Sequence, residues 1–151
     1  MEKSIKNLKS MSWVVLGLAG LTLLNIIFEL FFGELNAEFQ NATLPDGSPD
    51  NVVLIAQIFI LALTVLMLLP QVYIGIKGIK VANCPDSSRG HIIWGVILFV
   101  FTVLELLPPA LAFIQGDGGA FENVAEFLSI LADAMILFGY VKFAIAVRNG
   151  N

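Results

Sequence analysis

The sequence predicts an all-α membrane protein whose four transmembrane helices form an up-down-up-down bundle, with both termini on the cytoplasmic side. Hydrophobic residues make up 58% of the 151 residues and charged residues 13%, whereas a soluble domain has about 45 to 50% and about 25%. Four apolar stretches are each long enough to cross about 30 Å of hydrocarbon, which takes about 20 helical residues. If the four stretches cross the membrane in alternating directions, all basic residues fall on the same side of the membrane. The length fits a single domain covering residues 1–151.

The first apolar stretch covers residues 11–33 and follows Lys3, Lys6 and Lys9. A signal peptide also begins with basic residues, but its apolar region has about 7 to 15 residues and leads to a cleavage site with small residues. Here the apolar run is longer and ends in two phenylalanines, a glycine and Glu34. We therefore predict a retained membrane anchor.

The second and third apolar stretches cover residues 52–76 and 91–114, and both contain proline. A proline lacks the N–H that would bind the carbonyl four residues earlier, so Pro70 and the pair Pro108 and Pro109 are expected to kink their helices. Broken helices often line transporter sites. Prolines are also frequent in membrane helices generally, so a kink without a functional role is the favoured interpretation.

The fourth apolar stretch covers residues 123–146, and polar segments separate the four stretches. Residues 34–51 and 115–122 are the predicted outer loops, and residues 83–90 form the predicted inner loop. Asp46 within a Pro-Asp-Gly sequence and the glycines around Asp117 are turn signals. Asn41 begins a glycosylation sequon in the first outer loop, which the alternative interpretation attributes to chance.

The orientation follows from Lys and Arg, because basic residues in short loops stay on the cytoplasmic side. The outer loops carry acidic residues and no basic ones. The sequence therefore predicts a multi-pass protein of the plasma or inner membrane with an electronegative outer face. All eight basic residues precede the first stretch, lie between the second and third or close the fourth: Lys3, Lys6, Lys9, Lys77, Lys80, Arg89, Lys142 and Arg148.

Polar residues within the apolar stretches recur at helical spacing, which places each set on one helical face. Heptad spacing favours left-handed packing, so these faces are expected to meet along one bundle axis. Small residues at Ala125, Ala132 and Gly139 offer a further face for close helix approach. The polar residues are Thr22, Asn25, Glu29, Gln57, Thr64, Gln71, Thr102, Glu105, Glu126, Ser129, Asp133 and Tyr140.

Three carboxyl groups, those of Glu29, Glu105 and Asp133, are predicted at membrane depth with no basic residue beside them. Each is protonated, bound to a cation or in contact with water in a cavity, since burial and like-charged neighbours favour the neutral form. A charged residue at mid-span costs about 2.5 to 3.5 kcal/mol. These side chains are therefore expected to face the interior.

The functional interpretation of this pattern is an ion or proton site in the outer half of the membrane. The leading hypothesis is a cation- or proton-linked transporter or channel component. Its partners would be the lipid bilayer, a monovalent cation or proton, and further copies of the chain or a membrane partner protein. The candidate site residues are Glu29, Glu105, Asp133, Asn25, Gln57 and Glu126.

The structural interpretation is that polar side chains form interhelical hydrogen bonds, each worth about 0.6 kcal/mol on average. The chain would then be a non-transporting accessory or scaffold protein. A third interpretation is a pocket for a lipid or another amphiphile. The structural role is assigned to Thr22, Thr64, Thr102, Ser129 and Tyr140, and it is the favoured interpretation for Asn25 and Gln57, which are also candidates for the ion site.

Residues 71–83 continue the second stretch past the membrane edge, where Tyr73, Trp94 and Trp13 suit an aromatic belt at the headgroups. This segment resembles one in small four-span membrane proteins of Gram-positive bacteria whose role is unassigned. The resemblance implies a bacterial four-span protein and no particular activity. The residues that carry it are Tyr73, Gly75, Lys77, Gly78 and Lys80.

The sequence carries no catalytic or cofactor motif: it lacks a glycine-rich phosphate loop, Gly-x-Ser-x-Gly and His-Glu-x-x-His. Cys84 and His91 are the only cysteine and histidine, and a zinc site needs three or four ligands. We therefore predict no enzyme activity, no cofactor and no metal site. Nucleic acid is an unsuitable partner because the chain has no basic, base-stacking face.

Overall fold

The computed structural model describes residues 2–41, 52–84, 89–115 and 120–150, and these residues are helical with no strand among them. Four helical stretches are long and apolar enough to cross a membrane. The predicted all-α, four-span fold class is confirmed, and the position of the termini stays a prediction. The helices are α1 (Glu2–Phe31), α2 (Glu34–Asn41), α3 (Val52–Asn83), α4 (Gly90–Glu105), α5 (Leu107–Gln115) and α6 (Ala120–Arg148).

Helix α2 lies in the segment for which the sequence predicted a polar loop, so that prediction is wrong for residues 34–41. The backbone N–H groups of Phe32 and Gly33 both donate to the carbonyl of Phe28, at 2.8 and 3.0 Å, and so close the end of α1. A new helix then begins with Glu34 in its first turn, where a negative charge is favourable for the helix dipole. The remaining residues of this predicted loop, including most of the sequon that begins at Asn41, lie outside the described residues.

The third predicted span is interrupted between α4 and α5 at Leu106, whose N–H turns back to the Val103 carbonyl at 3.3 Å. Pro108 and Pro109 fall in the first turn of α5. Proline is tolerated there because the first N–H groups of a helix have no acceptor within the helix. The predicted disruption at these prolines is confirmed, whereas α3 continues as one helix through Pro70.

The chain forms two compact units. The first unit comprises Met1–Leu16 and Pro70–Asn151, and therefore contains the start of α1, the end of α3 and helices α4, α5 and α6. The second unit comprises Gly17–Leu69, with the rest of α1, helix α2 and the start of α3. The single-domain prediction for residues 1–151 stays a prediction.

Two helix pairs of the first unit, α1 with α3 and α4 with α6, run in opposite directions. Lys9 of α1 donates to Asn83 of α3 at 3.0 Å, and further along the same pair of helices Gln71 donates to the Val15 carbonyl at 3.5 Å. As the chain position rises in α1 it falls in α3, so these two helices are antiparallel. Helices α4 and α6 are also antiparallel, because Gly95 lies beside Val141 and Phe99 beside Phe138.

The core of the first unit packs tightly around Gly78 of α3. A Cβ atom at this position would meet the Ser12 hydroxyl of α1 and would lie 2.7 Å from Cε2 of Tyr140 on α6. Only glycine allows three helices to approach one another this closely. The buried apolar residues of this core are Leu8, Val15, Ile74, Val81, Ala82, Ile92, Leu137, Tyr140, Ala144 and Val147.

Candidate functional site

The predicted ion-site residues are divided between the two units. Asn25, Glu29 and Gln57 belong to the second unit, and Glu105, Glu126 and Asp133 belong to the first. Gln57 is buried, the side chains of Glu29 and Asp133 are half-buried, and those of Asn25, Glu105 and Glu126 are exposed. Each unit therefore contains its own set of three candidate residues.

Glu105 is exposed in the single chain, contrary to the predicted inward position. The face of α4 that contacts α6 passes through Gly95 and Phe99, and helical spacing continues it to Thr102 and Leu106. Glu105 precedes Leu106 and is therefore rotated by about 100° away from this face, since a helix has about 3.6 residues per turn.

Glu105 and Asp133 nevertheless lie at nearly the same level of the antiparallel α4–α6 pair. The contact of Phe99 with Phe138, with ring centroids 5.9 Å apart, fixes the register of the two helices. Continued along both axes, this register places Glu105 and Asp133 within about one helical turn, about 5 Å, of the same depth. Across the described chain, neither carboxyl group makes a hydrogen bond or an ion pair.

Gln57 has a well-defined structural environment in the second unit. Its side-chain amide nitrogen donates to the Leu30 carbonyl at 2.6 Å and to Oδ1 of Asn36 at 3.1 Å. Leu30 is near the end of α1, where carbonyl groups lack partners within their own helix. Gln57 thus joins α3 to the end of α1 and to α2. Asn36 was not identified from the sequence because it lies in the predicted loop.

The threonine residues do not make the predicted interhelical hydrogen bonds. Thr64 donates to the Ile60 carbonyl and Thr102 to the Leu98 carbonyl, both at 3.0 Å and both within the same helix. The prediction is wrong for these two residues, because a threonine hydroxyl readily bonds the carbonyl one turn earlier. Thr22 and Ser129 are exposed.

Tyr140 does make an interhelical hydrogen bond, from its hydroxyl to the Ile74 carbonyl at 2.8 Å. Ser12 and His91 are buried around it, and all three side chains are at most 1% exposed. The His91 ring meets the Tyr140 ring edge-on, with centroids 6.4 Å apart. The Ser12 hydroxyl donates to the Leu8 carbonyl at 2.8 Å. We call Ser12, His91 and Tyr140 the buried polar triad.

The roles of Ser12 and His91 in the buried polar triad were not predicted from the sequence, because the small residues expected to permit close helix approach lie on α6. Ala125 and Ala132 are exposed, so the predicted close-approach face of α6 is wrong at these positions. The close approach instead uses Gly78 of α3 and Gly95 of α4, whose added Cβ atoms would contact Tyr140. Glycines on two helices close to the lone histidine were the available signal.

Among the described residues, no three His, Cys, Asp or Glu side chains form a group that could hold a metal ion. Cys84 is exposed while His91 is buried, so the two do not face a common site.

The basic residues are concentrated in the first unit, which contains all eight of them. Trp13, Tyr73 and Trp94, the predicted aromatic belt, also belong to this unit and are 59%, 42% and 43% exposed. The hydrogen bond between Lys9 and Asn83 joins α1 and α3 near the basic end of the unit. This end therefore carries both positive charge and large exposed aromatic side chains.

No known family, curated protein or solved structure matches this chain. The resemblance of residues 71–83 to small Gram-positive membrane proteins stays a prediction.

Proposed function

We propose that this multi-pass membrane protein is a component of cation- or proton-linked transport, in which Glu105 and Asp133 carry the ion or the proton. The supporting observation is that these two carboxyl groups share a level of the α4–α6 pair and have no bonding partner among the described residues. Both lie within helices that are apolar enough to cross a membrane.

Charge neutralisation is the physical basis of the proposal. A carboxylate at mid-span costs about 2.5 to 3.5 kcal/mol, and the nearest basic residue along α6, Lys142, lies about 13 Å from Asp133 along the helix axis. An ammonium group at that distance cannot form an ion pair with the carboxylate. A bound cation or a proton removes the charge and also gives the two residues a function.

The break between α4 and α5 adds an oxygen ligand beside Glu105. Because Pro109 has no N–H, the backbone carbonyl of Glu105 loses the donor that a continuous helix supplies, whereas the Leu104 carbonyl accepts from the N–H of Leu106. Carboxylate and carbonyl oxygens are suitable ligands for hard cations. Broken helices with free carbonyls also line ion sites in transporters.

The exposure of Glu105 supports an oligomeric transport unit. A bundle of four helices leaves little room for a pore, and the Glu105 side chain is on the outside of the single chain. A second copy or a membrane partner that covers this position would remove Glu105 from lipid and enclose the ion path.

The test is ion flux in vesicles that contain the purified protein. The variants Glu105→Gln and Asp133→Asn keep the side-chain size and remove the charge, and Glu38→Gln, in the exposed part of α2, is the matched control. We expect a pH- or cation-dependent flux that both site variants abolish and the control retains. Equal flux in all four proteins contradicts the proposal.

The second candidate function is a non-transporting accessory or scaffold protein. It is favoured by the side chains of Gln57, Gln71 and Tyr140, which bind backbone carbonyls of other helices and thereby fix their packing. In this case Asp133→Asn and Glu105→Gln leave flux unchanged, and affinity purification recovers a membrane partner in fixed stoichiometry.

The orientation is part of the same proposal. We place both termini and residues 84–89 in the cytoplasm of a plasma or inner membrane, with residues 34–51 and 115–122 outside. The supporting observation is that all eight basic residues lie near the two termini or around the junction of α3 and α4, since Lys and Arg in short loops are retained in the cytoplasm.

A further inference from the structure

A basic site lies where α1 begins and α3 ends, and the proposed transport function does not use it. We propose that Lys9, Lys80 and Asn83 bind the headgroup of an anionic phospholipid. Its phosphodiester would accept hydrogen bonds from the two ammonium groups and from the Asn83 amide. The lipid's acyl chains would lie along the exposed apolar surface that begins one to two helical turns from these residues, toward the middle of α1 and α3.

The first observation is the geometry of the three polar side chains. Lys9 donates to Oδ1 of Asn83 at 3.0 Å, which brings α1 and α3 together at this point. Lys80 is one helical turn from Asn83 on the same face of α3. All three side chains are exposed, so two lysines and one amide lie on an accessible surface.

The second observation is the lack of a counter-charge. Within the described ranges, no acidic side chain pairs with Lys9 or Lys80. Like charges on neighbouring helix ends repel each other, and an anion bound between Lys9 and Lys80 would reduce this repulsion. A phosphodiester suits the position, because lysine binds phosphate as a point charge and the Asn83 amide nitrogen offers further donors.

The third observation identifies the ligand as a lipid rather than a soluble phosphate. Tyr73 and Ile76 precede Lys80 and Asn83 on one continuous face of α3 at helical spacing, and they are 42% and 58% exposed. On α1, Trp13 is 59% exposed and lies one turn from Lys9 on the same side. The surface is thus charged at the helix ends and apolar one to two turns deeper.

This order of charge and apolar surface matches the structure of a phospholipid. Tryptophan and tyrosine prefer the headgroup level, and lysine extends toward it from the helix. An anionic headgroup at Lys9 and Lys80 would place its acyl chains beside Trp13, Tyr73 and Ile76. A soluble phosphate would make no use of the apolar half of the surface.

The proposal is tested by thermal unfolding of the full chain in detergent with added lipid. Phosphatidylglycerol is compared with phosphatidylcholine of the same acyl chains, and glycerol phosphate serves as the soluble headgroup. We expect phosphatidylglycerol to raise the unfolding midpoint of the wild-type protein. Phosphatidylcholine and glycerol phosphate should produce at most a small part of that shift.

The double variant Lys9→Gln and Lys80→Gln should lose the shift, and Lys142→Gln, which removes an exposed charge of α6, should retain it. A shift of equal size in the double variant, or one produced equally by phosphatidylcholine or glycerol phosphate, overturns the proposal. Native mass spectrometry provides a second measurement: the wild-type protein and Ile76→Ser are compared for retained phosphatidylglycerol. Fewer lipids on Ile76→Ser support the apolar half of the site, and equal retention overturns it.

Discussion

The hydroxyl of Tyr140 donates a 2.8 Å hydrogen bond to the backbone carbonyl of Ile74, and both residues are fully buried. The bond joins α6 to α3 in the middle of the first unit's core. Its polar neighbours Ser12 and His91 lie in the same core. The mainly apolar core of the first unit therefore contains one specific polar contact between helices.

The variant Tyr140→Phe should destabilise the protein by about 1 kcal/mol, because it removes one buried hydrogen bond and keeps the ring. The free energy of unfolding in detergent measures this loss. Tyr73→Phe, at an exposed position, is the matched control and should change the stability by much less. Equal stability of the wild type and Tyr140→Phe would show that the bond contributes nothing.

The variant Gly78→Ala should destabilise the protein by about 1 to 3 kcal/mol, the usual cost of overpacking a core. The added methyl group would overlap the Ser12 hydroxyl and the Tyr140 ring. Gly17→Ala and Gly20→Ala are matched controls, since no atom lies within 4 Å of their added Cβ atoms. The controls should be neutral or slightly stabilising, because alanine favours a helix over glycine by about 1 kcal/mol. A tolerated Gly78→Ala would contradict the close packing of α1, α3 and α6.

The variant Gln57→Leu should release α2 from the second unit. It removes both the 2.6 Å bond to the Leu30 carbonyl and the 3.1 Å bond to Asn36. Amide hydrogen exchange of residues 34–41 should become faster, while exchange in the first unit stays unchanged. Thr64→Val is the control, because its hydroxyl bonds only the Ile60 carbonyl of its own helix. Unchanged exchange in α2 would show that Gln57 does not anchor it.

The single cysteine allows a direct measurement of the orientation. Cys84 is exposed, and the proposed topology puts it in the cytoplasm. A membrane-impermeant maleimide should label it in inside-out vesicles and leave it unlabelled in right-side-out vesicles. The double variant Cys84→Ser with Ser48→Cys should show the reverse pattern. Labelling of Cys84 from the outside would invert the orientation.

The four spans and the break at Leu106 were predictable from the sequence because both depend on local chemistry. A bilayer demands long apolar helices, and proline removes a backbone donor wherever it occurs. The predicted spans 11–33 and 52–76 largely coincide with α1 and α3, but α1 already begins at Glu2 and α3 continues to Asn83. Because these helices continue beyond the apolar stretches, hydropathy alone underestimates their length.

The features that the sequence did not predict depend on the register between helices. Gly78 is essential only because Ser12 and Tyr140 face it from two other helices. Glu105 follows Thr102 at helical spacing and was therefore expected on the same face of α4. It instead lies next to Leu106, one position away from the face that contacts α6. A single-sequence pattern gives the spacing on each helix and leaves the rotation of one helix against the next undetermined.

The central claim is that Glu105 and Asp133 are neutralised by a cation or a proton. The most direct measurement is the unfolding midpoint in lipid nanodiscs as a function of pH and of monovalent cation concentration. We predict a midpoint that shifts with pH or cation in the wild type and in Glu38→Gln, and that shifts much less in the double variant Glu105→Gln with Asp133→Asn. A double variant that shifts as the wild type does would contradict the claim.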